Sequence, residues 1–167
     1  MIDTWRGDEQ NGYYGDEIFT DLQRHHDPLY GGFSSLIQST FDQALDNFEN
    51  GAIDLLHIDG DHSYEVVKHD FESWLPKMSD RGVILLHDIK GRERNPGVRR
   101  LWEEIKPHFL HFEFNHEHGL GLISTGPSVA GELRSLVNAS ASEAQMIRDL
   151  FEQLGERLKL RLENAHQ

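Results

Sequence analysis

The sequence predicts an α/β fold built on a largely parallel sheet. Three observations carry this. The apolar run Ile53-Asp54-Leu55-Leu56-His57-Ile58 ends on Asp59-Gly60-Asp61-His62. A second apolar run, Val83 to Leu86, ends on His87-Asp88. Between them Ser63 to Met78 has helical spacing, with Val66, Val67, Phe71, Trp74 and Leu75 on one side. Strand, helix, strand at this separation is the unit of a parallel sheet. Ligands in such sheets bind beyond the carboxyl ends of the strands, and here both strands stop on acidic residues.

The elements follow in order. Residues 5–15 are rich in Gly, Asp and Asn around Tyr13-Tyr14 and read as a loop. Asp16 to His26 reads as a helix, with Ile18, Phe19 and Leu22 on one face and Asp16 as its cap; Asp27-Pro28 and Gly31-Gly32 break it. Phe33 to Ser39 reads as a short strand and Phe41 to Phe48 as a short helix. Ser63 is suited to cap the helix that follows Asp59, and Asp61 serves either as a cap there or as a ligand. Gly82 opens the next strand, and residues 90–97 form a charged loop. Pro96 is placed to start a helix reaching about Lys106, with Val98, Leu101, Trp102 and Ile105 on one face. His111 to Asn115 and Leu120 to Ser124 predict an antiparallel hairpin around Gly119. Residues 1–126 thus form one α/β domain and 127–141 a linker. From Ser142, its cap, a helix occupies 142–167, with Ile147, Leu150, Leu154, Leu158 and Leu162 on one stripe.

The formal net charge of −13 over 167 residues argues against nucleic acid or an anionic membrane as partner, because both require a basic face. There is no cysteine, so thiolate chemistry and disulfides are excluded, and a metal would need oxygen or imidazole ligands. No apolar run reaches membrane-span length and residues 1–5 carry no signal-like pattern, which reads as cytoplasmic. Eleven histidines are many for this length, and a solvated acidic surface accounts for most of them. Asp59 and Asp88, ending neighbouring strands with His62 three residues on, are the components of a metal or acid/base site. His116 and His118, two apart, read as a solvated hairpin tip or as a second metal pair. Trp74, Trp102 and Phe71 read as core.

Several strings together resemble a known family. Ile53 to Tyr64, Trp74-Leu-Pro and Gly82 to Asp88 look like class I S-adenosylmethionine-dependent methyltransferases, and most like the macrocin-type sugar O-methyltransferases. Ile2-Asp3-Thr4-Trp5-Arg6-Gly7-Asp8 and His116-Glu-His-Gly-Leu-Gly share that likeness, which spans residues 2–125. The resemblance implies a Rossmann-like, mostly parallel sheet with helices on both faces and an antiparallel C-terminal hairpin. It also implies S-adenosylmethionine as cofactor, with Asp3 gripping the ribose. Trp5, with Tyr13 and Tyr14, lies where a ring would stack on adenine or cover the acceptor, or serves only to pack the loop. Asp59 and Asp88 match the positions that hold Mg²⁺, and His62 matches the general base. His87 stands where the macrocin-type enzymes carry another acid, so an imidazole joins the metal set Asp59, His87 and Asp88.

No Gly-x-Gly between a strand and a helix is present; Gly119-Leu-Gly121 lies in the hairpin. The resemblance therefore implies a fold incomplete at the N-terminus, lacking the first strand and its Gly-rich loop, and weak binding of the cofactor by residues 1–167. The function expected is methyl transfer to a hydroxyl of a sugar-like or other small-molecule acceptor, in which Asp59 and His62 are catalytic. Two alternatives stand beside it. Without its Gly-rich loop the chain would be an inactive fragment or an interaction module, in which the C-terminal helix or the exposed sheet gap receives a second copy or a partner chain. The string His57-Ile-Asp59-Gly-Asp61-His62 also resembles that of dinuclear metallo-β-lactamase-type hydrolases, with one His replaced by Asp.

Overall fold

The computed structural model describes residues 1–8, 12–91, 96–129 and 131–165. The chain divides into two compact units, 1–49 and 50–167.

The first unit is built around short pairings. β1 (Ile2–Asp3) runs parallel to β4 (Ile37–Gln38). β2 (Gly7–Asp8) and β3 (Gly12–Tyr13) form a small antiparallel ribbon within the segment expected as loop. Gly7 and Gly12 both have positive φ, a backbone conformation that glycine adopts without steric cost. α1 spans Asp16–Tyr30 and is capped by Gly15 rather than Asp16. It runs through Pro28, where a break was expected. The proline sits in the last turn, where losing its N–H removes only one ladder bond. His26 is buried between the Asp27 carboxylate at 2.8 Å and the Ser34 hydroxyl at 2.9 Å. The strand expected over 33–39 shrinks to β4, because 31–33 turn and Phe33 stays exposed. α2 (Phe41–Ala44) starts from a capping box between Thr40 and Gln43 and ends in a single 3₁₀ turn.

The second unit holds a four-stranded mixed sheet. β5 (Ile53–Ile58) pairs in parallel with β6 (Met78–His87). β6 pairs antiparallel with β8 (Leu120–Ser124), and β8 with β7 (Leu110–Phe114), giving the order β5-β6-β8-β7. α3 (Tyr64–Trp74) crosses from β5 to β6, and α4 (Pro96–Ile105) leads to the hairpin. β6 starts four residues before Gly82, because the 3₁₀ turn Leu75–Lys77 ends the helix early.

Strand alternation sorts the core into two layers. Ile58, Ile84, Leu86 and Ile123 meet Val67 and Phe71 of α3 and Val98, Leu101 and Trp102 of α4. Val83, Phe112 and Leu122 face the other way and meet Val129 and Ala144. Residues 127–141, expected as a linker, hold α5 (Gly131–Val137), whose Leu133 and Leu136 pack on this second face. α6 (Ala141–Ala165) begins one residue before Ser142, because Ser140 and Glu143 form the reciprocal cap. Its Ile147 reaches the same layer, and Phe151 meets Phe114 edge-on at 5.0 Å. Leu154, Leu158 and Leu162 remain exposed. Among the described residues no helix is long and apolar enough to cross a membrane.

Glu113 ties the layers together. Its carboxylate accepts hydrogen bonds from Lys90 at 2.6 Å, the Trp102 indole at 2.8 Å and Lys106 at 3.0 Å. Burial opposes its ionisation, yet these three donors outweigh it and hold its pKa at about 2. A carboxylate depressed in the folded state stabilises above its unfolded pKa and loses that contribution as pH falls through the folded value. Thermal melts should therefore show stability declining from about pH 4.5 toward pH 2. Glu113→Gln should flatten that limb and cost roughly 1–3 kcal/mol at neutral pH, because two ammonium groups would then face a neutral amide. An unchanged acid limb would place the effect elsewhere.

Candidate functional site

The site lies at the carboxyl ends of β5 and β6. The parallel register sets Ile58 opposite Leu86, so the residues that follow emerge at one level. Asp59 comes from the β5 end, and His87 and Asp88 from the β6 end. Asp88 adopts φ +63°, a left-handed conformation that Asp tolerates better than most residues. The next turn closes by a hydrogen bond from the Gly91 amide to the Asp88 carbonyl. Asp88 is thereby turned inward and is 5% exposed.

His62 is placed by the turn that leads into α3. Asp61 accepts the Ser63 amide at 2.7 Å and so takes the capping role; the Ser63 hydroxyl makes no cap. The first helical bond runs from the Val67 amide to the Ser63 carbonyl. Gly97 of α4 presses on the same turn. A Cβ there would fall 2.3 Å from the His62 carbonyl oxygen and 2.3 Å from the Tyr64 nitrogen. Sequence reasoning missed Gly97, because a glycine inside a helix signals a close approach without saying to what. The α3–α4 contact is reinforced where the Tyr64 hydroxyl donates to Glu104 at 2.6 Å and Arg100 lies over the Tyr64 ring.

Asp59, His62, His87 and Asp88 converge. His62 Nε2 is 3.4 Å from Asp59 Oδ1, and His62 Nδ1 is 3.6 Å from Asp88 Oδ2. His87 Nδ1 lies 3.1 Å from Asp59 Oδ1 and 3.0 Å from Asp88 Oδ1. It meets neither oxygen at a hydrogen-bonding angle, although the atom is shut off from solvent. The His57 ring stands edge-on to His87 at 6.4 Å.

Asp59 and His87 of the expected metal set come together with His62, the expected base: one donor atom from each of the three lies within 4.8 Å of the others. The Asp88 carboxylate stands beside this trio, 3.0 Å from His87 Nδ1 and 3.6 Å from His62 Nδ1. Mg²⁺ takes oxygen ligands, and two of these three donors are imidazole nitrogens. The trio does not fit Mg²⁺.

Asp3 and Trp5 belong to the first unit. The Asp3 carboxylate accepts the Trp5 amide at 2.7 Å, and this turn holds Trp5 at φ 51°. The Trp5 indole lies against Phe19 at 4.7 Å, and Tyr13 is largely exposed. His116 and His118 sit in the β7–β8 turn rather than on a strand. Glu117 between them pairs with Lys159 of α6, so the turn fastens a helix.

Comparison with known proteins agrees with this architecture. A family model described as a methyltransferase domain matches residues 1–89, and the chain belongs to that family. An uncharacterised protein of Sinorhizobium fredii (strain NBRC 101917 / NGR234), y4gI, is 44% identical over 135 residues. The match covers 81% of this chain but 15% of that much longer protein. Two solved structures share the fold. A protein from Corynebacterium glutamicum aligns with a TM-score of 0.55 at 14% identity, over 76% of this chain and 60% of that one. A protein from Staphylococcus aureus, provisionally assigned as a caffeoyl-CoA O-methyltransferase, gives 0.52 at 16% identity, over 67% and 62%.

Gly97→Ala tests how the site is positioned. Helix α4 would have to retreat from backbone atoms, an overpacking expected to cost about 1–3 kcal/mol. The melting temperature should fall and the His62 ring resonances should move by NMR. Unmoved His62 signals would show that α4 does not set its position.

Proposed function

We propose that the chain carries the acceptor-activating part of an S-adenosylmethionine-dependent O-methyltransferase. The supporting observation is His62 held between two carboxylates at the carboxyl edge of the parallel pair, in a chain of the methyltransferase domain family. The acceptor proposed is a hydroxyl of a sugar-like or other small polyhydroxylated molecule, as in the macrocin-type group. The acidic balance leaves nucleic acid and anionic membranes aside as partners.

In this reading S-adenosylmethionine, when bound, would supply an electrophilic methyl group to the acceptor oxygen and would leave as S-adenosylhomocysteine. The donor is already strongly electrophilic, so the protein's tasks are to align the hydroxyl and remove its proton. A neutral imidazole has one N–H and one lone pair. Engagement of Nε2 by Asp59 leaves Nδ1 to take the proton. Asp88 Oδ2, 3.6 Å from Nδ1, then offsets the positive charge that forms on the ring. Asp59 orients the imidazole, as a carboxylate does in other acid/base pairs. Asp3 would hold the ribose hydroxyls by the bidentate chemistry that carboxylates use in dinucleotide folds. No step here requires Mg²⁺.

The parallel β5–β6 unit argues against the metallohydrolase reading, whose string lies in a sandwich of mixed sheets.

Turnover of isotopically labelled S-adenosylmethionine with polyol and sugar acceptors tests the proposal. His62→Ala should lower turnover by about 10²–10⁴-fold, the contribution of a positioned base. Its melting temperature should stay close to that of the parent, because His62 is partly exposed and outside the core. Full turnover by the variant would remove His62 from the chemistry, and a large loss of stability would make it structural.

A further inference from the structure

We infer that Asp59, His62 and His87 form a binding site for a borderline divalent transition ion, and that this ion shuts off the base. The proposal rests on the methyltransferase reading for its effect on turnover, but not for the binding itself.

The donor set is that of an open transition-metal site. Two imidazoles and one carboxylate suit Zn²⁺ and its neighbours and leave a coordination position free. The spacing agrees. Two donors about 2.1 Å from a common ion, at tetrahedral or octahedral angles, lie about 3.0–3.4 Å apart. Asp59 Oδ1 lies 3.1 Å from His87 Nδ1 and 3.4 Å from His62 Nε2. All three donors fall within 4.8 Å of one another before any ion is added. A second, independent observation concerns His87. Its Nδ1 is shut off from solvent inside the cluster and directs its hydrogen-bonding direction at neither neighbouring carboxylate oxygen. A buried ring nitrogen without a hydrogen bond is costly, and coordination would satisfy it.

The consequence follows from imidazole chemistry. A neutral His62 has a single lone pair, whichever nitrogen carries the proton. Coordination consumes that lone pair and leaves an N–H on the other nitrogen. A liganded His62 therefore has no site for the acceptor's proton. The same ion that binds the trio well would stop methyl transfer, whereas Mg²⁺, poorly matched to imidazole, would leave His62 free.

Titration calorimetry of the chelator-treated protein with ZnCl₂ and with MgCl₂ tests the binding arm. One Zn²⁺ per chain should bind at least about a hundred-fold more tightly than Mg²⁺. His87→Gln and His62→Gln should each weaken Zn²⁺ by more than about a hundred-fold, beyond the usual cost of losing a group that only supports a ligand. The His62 and His87 ring resonances should shift together on saturation. In the turnover assay Zn²⁺ should inhibit with the calorimetric midpoint, and His87→Gln should need more than about a hundred-fold more Zn²⁺ for the same inhibition. Equal affinities for the two ions, or Zn²⁺ binding that survives both variants, would overturn the site. Binding without inhibition would overturn the effect on the base. Methyl transfer by the chelated protein is read separately, so failure of the metal site and failure of the methyltransferase reading remain distinct.

Discussion

The site depends on the register of one parallel strand pair. β5 and β6 run alongside each other from Leu55 opposite Val83 to Ile58 opposite Leu86, and both then release their chains at one edge. Because side chains alternate, a one-residue slip would turn Ile84 and Leu86 out of their core layer and carry His87 inward. The apolar layer thus enforces the polar arrangement. Ile58, Ile84 and Leu86 are almost fully buried against α3 and α4, and this burial holds the strand ends level. Asp59, His87 and Asp88 meet because the buried hydrophobic residues one to four positions earlier cannot go elsewhere.

The opposite face of the sheet shows why the C-terminal third is part of the second unit. A mixed sheet with one face bare would leave Val83, Phe112 and Leu122 in water. α5 and the first turns of α6 cover them. Arg148 of α6 donates to the Glu113 carbonyl at 2.7 Å, and Lys159 pairs with Glu117. The Glu113 carboxylate meanwhile binds Lys90, Trp102 and Lys106, so strand β7, the turn after Asp88 and helix α4 share one anchor. Lys90 follows Asp88 by two residues, which links this anchor to the wall of the site. Gly121 permits the arrangement, because a Cβ there would sit 2.6 Å from the Trp102 ring.

Much of this was legible in the sequence. The β5–α3–β6 unit, the start of α4 at Pro96 and the β7–β8 hairpin appear where hydrophobic period and turn residues place them. The convergence of Asp59, His62, His87 and Asp88 was readable for the same reason, since parallel strands end together. What was not legible depended on tertiary context. Pro28 was tolerated because only the last turn of α1 was at stake. α5 was missed because seven residues give too short a period to distinguish from a linker. The cap of α6 moved from Ser142 to Ser140 because the decisive partner, Glu143, lies three residues after Ser140. The role of Gly97 required knowing which backbone lay opposite. The left-handed conformation of Asp88 is announced by no local pattern.

His87 changes the electrostatics of the whole cluster. Three carboxylates gathered at one strand edge would repel one another and would call for a cation to hold them together. An imidazole at the third position removes one of those negative charges. His87 Nδ1 instead lies within 3.1 Å of an oxygen from each of the two acids, and His62 lies within 3.6 Å of both. Two acids and two histidines alternate in this way around a small volume, with opposite or neutral neighbours on each side. This is the arrangement on which the proposed proton transfer rests. The same alternation places ring nitrogens and a carboxylate oxygen at mutual distances suited to a transition ion. In the proposed reading the His87 imidazole beside the two acids lowers the demand for a hard cation and favours a softer one.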